Sequence, residues 1–265
     1  MEEYRFDPID LTFSLVSNEK EDCKECLYKK DEIKTIEFRN GYLKIYEIKD
    51  RLQPSKYELT GDFFKKSNAH GYEEIIVEND KHSSNFRSYS ADDIEKLLLI
   101  ISQRIEEIKG YDVGENVSIS RYINGHDYWD VVLMPIPRHT IDKCFVCQDI
   151  KNVGNREVFK TENIIAYIPF SPNRNEIVKI TTNKHVSIEQ LDSVIAFDIA
   201  NLIIKIIKRI KNELTINIIQ SGTNHFYISI FAGNIDPIEA IGVKRIKYSP
   251  EETAKKLSEE LNNGI

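Results

Sequence analysis

Apolar residues recur along this chain at two different periods. Ile94, Leu97, Leu98, Ile101, Ile105 and Ile108 stand at helical spacing, and so do Ile199, Leu202, Ile203, Ile206 and Ile210. Each set predicts one helix with a single apolar stripe. Residues 73–82 and 176–185 come before these helices, and each reads as a strand that ends in a polar Lys-His turn. Residues 117–123 and 216–220 come after them and alternate as strands do. A further strand follows each time and carries His-x-Tyr, at His126-Asp127-Tyr128 and at His225-Phe226-Tyr227. The tail, Ser249-Pro250-Glu251-Glu252, has a capping serine, proline at the first helical position and glutamate three residues after the cap. It opens a final helix that runs to about Leu261.

The same order of elements thus occurs twice. Asp93-Ile94 and Arg104-Ile105 match Asp198-Ile199 and Arg209-Ile210 at a constant offset of 105 residues. The expected fold is α+β, a duplicated module in which an antiparallel sheet carries a helix. Two prolines at 135 and 137 interrupt the pattern. They place the expected boundary between an N-terminal module, 1–138, and a C-terminal module, 139–265.

Composition narrows the class. With 36 basic and 43 acidic residues the net charge is −7, which argues against a nucleic-acid or acidic-membrane surface. The lysines and arginine at Lys205, Lys208, Arg209 and Lys211 read as a solvated helix face. No apolar run is long enough to span a membrane, and the opening Met1-Glu2-Glu3-Tyr4-Arg5 is unlike a secretory signal. A cytoplasmic protein is the expectation. In a reducing compartment, paired Cys-x-x-Cys reads as metal before disulfide.

The candidate chemistry is repeated too. Cys23-x-x-Cys26 is followed by His82 and His126, and Cys144-x-x-Cys147 by His185 and His225. The second set trails the first by 121 residues at both cysteines, 103 at the first histidine and 99 at the second. Two thiolates and two imidazoles form a tetrahedral zinc set. One Cys-x-x-Cys alone also fits a redox pair. Two sets in parallel places predict two structural zinc sites, closed because all four positions are filled by protein. His70 and His139 fall outside the pattern and read as ordinary polar surface histidines.

Several segments, in order, resemble the galactose-1-phosphate uridylyltransferase-like family of the histidine-triad superfamily. They are Glu3-Tyr4-Arg5-Phe6-Asp7-Pro8-Ile9, Asp22-Cys23-Lys24-Glu25-Cys26, Gly71-Tyr72-Glu73-Glu74-Ile75-Ile76-Val77-Glu78, Met134-Pro135-Ile136-Pro137, Cys144-Phe145-Val146-Cys147 and Ile241-Gly242-Val243-Lys244. The resemblance covers nearly the whole chain. It implies a duplicated half-barrel with zinc at Cys23, Cys26, His82 and His126, and a second zinc at the matching residues of the other half. It implies transfer of a nucleoside monophosphate through a covalent histidine intermediate, and a homodimer as an assembly.

The chain departs from that pattern where the chemistry would occur. The family's strand reads His-Pro-His-x-Gln, with the second histidine as nucleophile. Here it reads His126-Asp127-Tyr128-Trp129-Asp130. Tyr128 stands at the nucleophile position, and Asp130 replaces a glutamine that would donate to phosphate. A carboxylate there repels phosphate, and a phenol, with a pKa near 10, is a poor nucleophile without a base. The loop Tyr122-Ile123-Asn124-Gly125 is short for a phosphate-holding turn. Tyr128, Trp129 and Asp130 are the candidate ligand-binding residues; the two aromatics either stack on a base or fill the cleft. The expected protein is a zinc-binding, uridylyltransferase-like pseudoenzyme that binds a nucleotide, sugar nucleotide or other phosphorylated ligand, or acts as an interaction module. The alternative is an active nucleotidyltransferase or nucleotide hydrolase without a histidine nucleophile.

Overall fold

The computed structural model describes residues 3–9, 12–16, 31–49, 52–78, 86–123, 127–135, 143–172, 174, 177–210 and 213–263. The two amphipathic stretches form the long helices α1 (Ala91–Lys109) and, after a short helix α2 (Phe145–Lys151), α3 (Ser193–Arg209). Both long helices start where their caps dictate. Ser90 accepts a hydrogen bond from the Asp93 N–H, and the Asp93 carboxylate accepts one from the Ser90 N–H. Asp192 accepts from the Ile195 N–H. At the far end of α3 the Arg87 guanidinium donates to the carbonyls of Ile207 and Ile210, which the helix itself leaves open. Ile210 lies just beyond the last helical residue. Two further helices are α4 (Pro237–Ala240) and α5 (Pro250–Asn263). No described helix is long and apolar enough to cross a membrane.

The strands form two sheets. β1 (Glu3–Asp7), β2 (Thr12–Val16), β5 (Lys65–Asn68) and β14 (Val243–Ile246) make the smaller, in the order β14-β2-β1-β5. β14 runs parallel to β2, and the other pairs are antiparallel. The larger sheet has ten strands, all antiparallel. From the first half come β3 (Glu32–Phe38), β4 (Gly41–Glu47), β6 (Tyr72–Val77), β7 (Asn116–Ile123) and β8 (Tyr128–Met134). From the second half come β9 (Glu157–Lys160), β10 (Ile164–Tyr167), β11 (Val178–Thr182), β12 (Leu214–Gln220) and β13 (Tyr227–Ala232). The order is β3-β4-β6-β8-β7-β12-β13-β11-β10-β9. Read outward from the β7–β12 seam, each half runs last-but-one strand, last strand, the strand before the helix, then a hairpin. The architecture is thus mixed α+β.

Helices α1 and α3 pack on each other and on one face of the large sheet. One continuous core lies between them, with Ile94, Leu97, Ile101 and Ile105 from α1, Ile199 and Ile203 from α3, and Val117, Ile119, Ile216 and Ile218 from the central strands. At the usual value of about 1.5–3 kcal/mol per buried aliphatic side chain, this layer dominates the favourable side of folding. On the opposite face, the small sheet covers Val132, Met134 and Ile219.

Two ion pairs are buried on the helix-covered side. Arg104 of α1 clasps Glu74 of β6 at 2.8–3.0 Å, with side chains 7% and 0% exposed. Arg121 of β7 holds Glu78 at 2.9 and 3.2 Å, and Trp129 Nε1 and the Tyr89 hydroxyl donate to the same carboxylate at 2.8 Å each. Each charge is expensive to bury alone, so each pair is sound only when complete. His70, read from sequence as a surface residue, is instead buried, and its Nδ1 accepts from the Ser55 N–H at 3.1 Å.

Arg121→Met should therefore destabilise by about 3–5 kcal/mol, lowering the melting temperature by roughly 10 °C. Adding Glu78→Gln should recover part of that loss. A single variant that melts within 2 °C of the parent would show that the pair is dispensable.

Candidate metal centre and the open face of the sheet

Cys144 caps α2, and its Sγ accepts from the Cys147 N–H at 3.4 Å. That turn points both sulfurs to one side. His185 follows β11, and His225 lies two residues before β13, outside the strand that sequence assigned to it. The four side chains meet. Cys147 Sγ lies 3.3 Å from His225 Nδ1 and 3.5 Å from His185 Nδ1, and Cys144 Sγ lies 3.6 Å from His225 Nδ1. All four ligand atoms fall within 4.8 Å of one another.

These separations fit a metal. A tetrahedral zinc with bonds of about 2.3 Å to sulfur and 2.0–2.1 Å to nitrogen puts sulfur and nitrogen about 3.5 Å apart. The protonation pattern fits as well. His225 Nε2 is 2.9 Å from the Thr182 hydroxyl and 3.2 Å from the Thr181 hydroxyl. Both hydroxyls already donate, to the carbonyls of Lys184 and Phe226 at 2.7 Å each. They can only accept from the imidazole, so Nε2 carries the proton and Nδ1 turns a lone pair to the cluster. Burial, and then His185, push the His225 pKa down to about 4, which keeps the ring neutral. Burial, and then Cys144, push the Cys147 thiol up. A bound cation would reverse that direction, since the thiolate is the ligand form. The cluster can hold a metal ion, and its donors are those of a closed zinc site.

The matching residues Cys23, Cys26, His82 and His126 lie outside the described residues. The strand that follows them is described, and its alternation separates the three ligand-binding candidates. Trp129 points to the helix layer, is 1% exposed and spends its indole N–H on Glu78. Its indole N–H is therefore committed within the helix-side core. Tyr128 and Asp130 point the other way. Tyr128 is buried with Tyr46, Ile48, Ile75 and Val77, while Asp130 is half-buried.

Asp130 begins a row of side chains that sequence reasoning did not find. Strand pairing places it beside Ser120, Ser120 beside Asn217, Asn217 beside Ser229, and Ser229 beside Lys179. The row crosses five adjacent strands, roughly 19 Å at the usual strand spacing. It lies on the face away from α1 and α3, because the alternating neighbours Ile119, Ile216, Ile218, Ile228, Ile230 and Ile180 belong to the helix-side core. Two of its atoms are buried without a hydrogen-bond partner, Ser120 Oγ and Asn217 Nδ2. A buried amide donor left so costs about 1–3 kcal/mol. The one sequence signal was a polar asparagine in the apolar run Leu214–Gln220.

Neither a family model nor a curated protein sequence matches the chain. Solved structures do match its fold. A uridylyltransferase aligns over 100% of both chains with a TM-score of 0.65 and 17% identity. A uridylyltransferase mutant aligns over 100% of this chain and 99% of its own, at 0.67 and 16%. The chain has the uridylyltransferase fold. An ADP-glucose phosphorylase from Arabidopsis thaliana, solved with bound ADP-glucose, aligns over 96% of this chain and 97% of its own, at 0.60 and 16%.

Thr182→Val should weaken zinc affinity about tenfold by removing an acceptor that orients His225, as second-shell losses usually do. Competition with a chromogenic chelator reads this directly. Equal zinc affinity in parent and variant would remove the Thr182 hydroxyl from the account.

Proposed function

We propose that this chain is a zinc-stabilised, uridylyltransferase-like protein that binds a nucleotide, sugar nucleotide or other phosphorylated ligand on the open face of its large sheet. It does so without the histidine-linked nucleotidyl intermediate that the resemblance implies. Two structural zinc sites, one per module, hold the connecting segments, and the modules divide near residue 138. The Cys144, Cys147, His185 and His225 cluster supports the second site. The repeated strand order about the β7–β12 seam supports the modular reading.

The observation that carries the proposal is the position of β8. On a fold shared with a uridylyltransferase over its full length, that strand turns Tyr128 and Asp130 onto the open face and Trp129 away from it. Tyr128 packs among aliphatic and aromatic side chains. Such a phenol suits the wall of a cleft better than attack on phosphorus. The ADP-glucose held by the phosphorylase of similar fold supports a sugar nucleotide as the ligand class.

A thermal-shift panel of nucleotides, sugar nucleotides and sugar phosphates on the zinc-replete chain tests the proposal. A ligand at one hundred times its Kd should add about 2.7 kcal/mol and raise the melting temperature clearly. Tyr128→Phe should keep the affinity within about twofold, since a wall contact is retained when only the hydroxyl goes. No shift with any member of the panel would overturn ligand binding. A protein-linked nucleotide that forms in the parent and not in Tyr128→Phe would instead establish tyrosine catalysis.

A further inference from the structure

The open face carries a second feature, in the other half from Tyr128 and Asp130. A cavity of about 160 Å³ lies over β11, β13 and β12. Its floor is Lys179, Ser229 and Asn217, the far end of the polar row. Its walls include Tyr227, Phe231 and Arg174. It is far larger than the roughly 10–15 Å³ that one water needs.

Two observations say what it takes. The first is charge. Among the described residues neither Lys179 nor Arg174 forms an ion pair with a carboxylate. Each rests on an aromatic face instead, Lys179 Nζ 4.6 Å from the Tyr227 ring centre and the Arg174 guanidinium 5.0 Å from that of Phe231. Asp149, the carboxylate whose charge reaches Lys179, is already held by Arg156 at 3.2 Å. In a chain with seven more acidic than basic residues, two cations that face one cavity and form no ion pair with a described carboxylate are an unusual arrangement. The second observation is the orphan donor. Asn217, one of the residues lining the cavity, is 0% exposed; its Oδ1 accepts from Ser118 at 3.4 Å, and its Nδ2 is buried with no acceptor among the described residues. A buried N–H of this kind calls for a partner. Burial also pulls the Lys179 pKa down, the direction that an anion in the cavity would oppose.

We propose that this cavity is a binding site for a phosphate monoester or a similar small tetrahedral anion, with Lys179 and Arg174 supplying charge and Asn217 and Ser229 supplying hydrogen bonds. Asp130, at the other end of the row, repels the same group, so the two ends of the open face differ in sign. The site is independent of whether a nucleotide binds beside Tyr128.

Calorimetric titration of the zinc-replete chain with inorganic phosphate, and then with methyl phosphate, tests this. Lys179→Met keeps the length and apolar stem of the side chain and should weaken both at least about tenfold, the usual worth of a charge-assisted hydrogen bond. Arg174→Gln should weaken them in the same direction and serves if Lys179→Met does not fold. Lys208→Met, on the exposed face of α3, removes one positive charge elsewhere and should leave both affinities unchanged. No binding of either anion, or binding equally weakened by Lys208→Met, would overturn the site. Phosphate binding that depends on Lys179, without any nucleotide in the thermal-shift panel acting on the chain, would keep this site and remove the nucleotide reading. Nucleotide binding that is indifferent to Lys179, with no phosphate binding, would do the reverse.

Discussion

Everything in this molecule depends on the pairing of β7 with β12. Seven residues on each strand match in register, from Leu214 against Ile123 to Gln220 against Val117. This seam joins two five-stranded halves into one sheet, and so lets α1 and α3 share one core rather than cover two. Register is unforgiving here. A slip of β12 by one residue would turn Asn217 into the helix layer and bring Ile216 and Ile218 to the open face. The apolar alternation of both strands prevents it, since Val117, Ile119, Ile216 and Ile218 are all fully buried under the helices.

The two faces of the sheet treat polar groups in opposite ways. On the helix side, the two buried ion pairs are matched within the protein: Glu74 with Arg104, and Glu78 with Arg121, Trp129 and Tyr89. That is what an interior of low dielectric requires. On the open face, Ser120 and Asn217 keep unmatched atoms at full burial. The contrast separates polar groups that stabilise the fold from polar groups that wait for something else. The Cys144, Cys147, His185 and His225 cluster stands with the second kind, because two thiols and two imidazoles brought this close are reconciled by a cation.

Much of this was legible in the sequence. The two long helices follow from residues three and four apart, whereas their caps, Ser90 and Asp192, emerge only in the structure. The second Cys/His set was legible because cysteine and histidine are rare residue types whose spacing stands out. Other features were hidden for physical reasons. Trp129 and Tyr128 are neighbours in sequence, yet strand alternation sends them to opposite faces, and only the sheet says which face is open. Lys179 is one of many lysines, and its importance comes from a strand pairing with Ser229 that local pattern does not encode. Asn217 was visible as a polar residue in an apolar strand, but its orphaned amide depends on β7 lying beside it. The buried ion pairs join residues 30 and 43 positions apart, beyond the reach of any local rule.

The account stands or falls on where a phosphorylated ligand sits. Amide hydrogen exchange on the zinc-replete chain, with and without saturating ADP-glucose, UDP-glucose or inorganic phosphate, locates it directly. The predicted result is slower exchange in β8 and in the connections that flank the open face, between β10 and β11 and between β13 and β14, with α1 and α3 unchanged. Protection confined to the helix layer, or the same exchange everywhere with all three ligands, would contradict it.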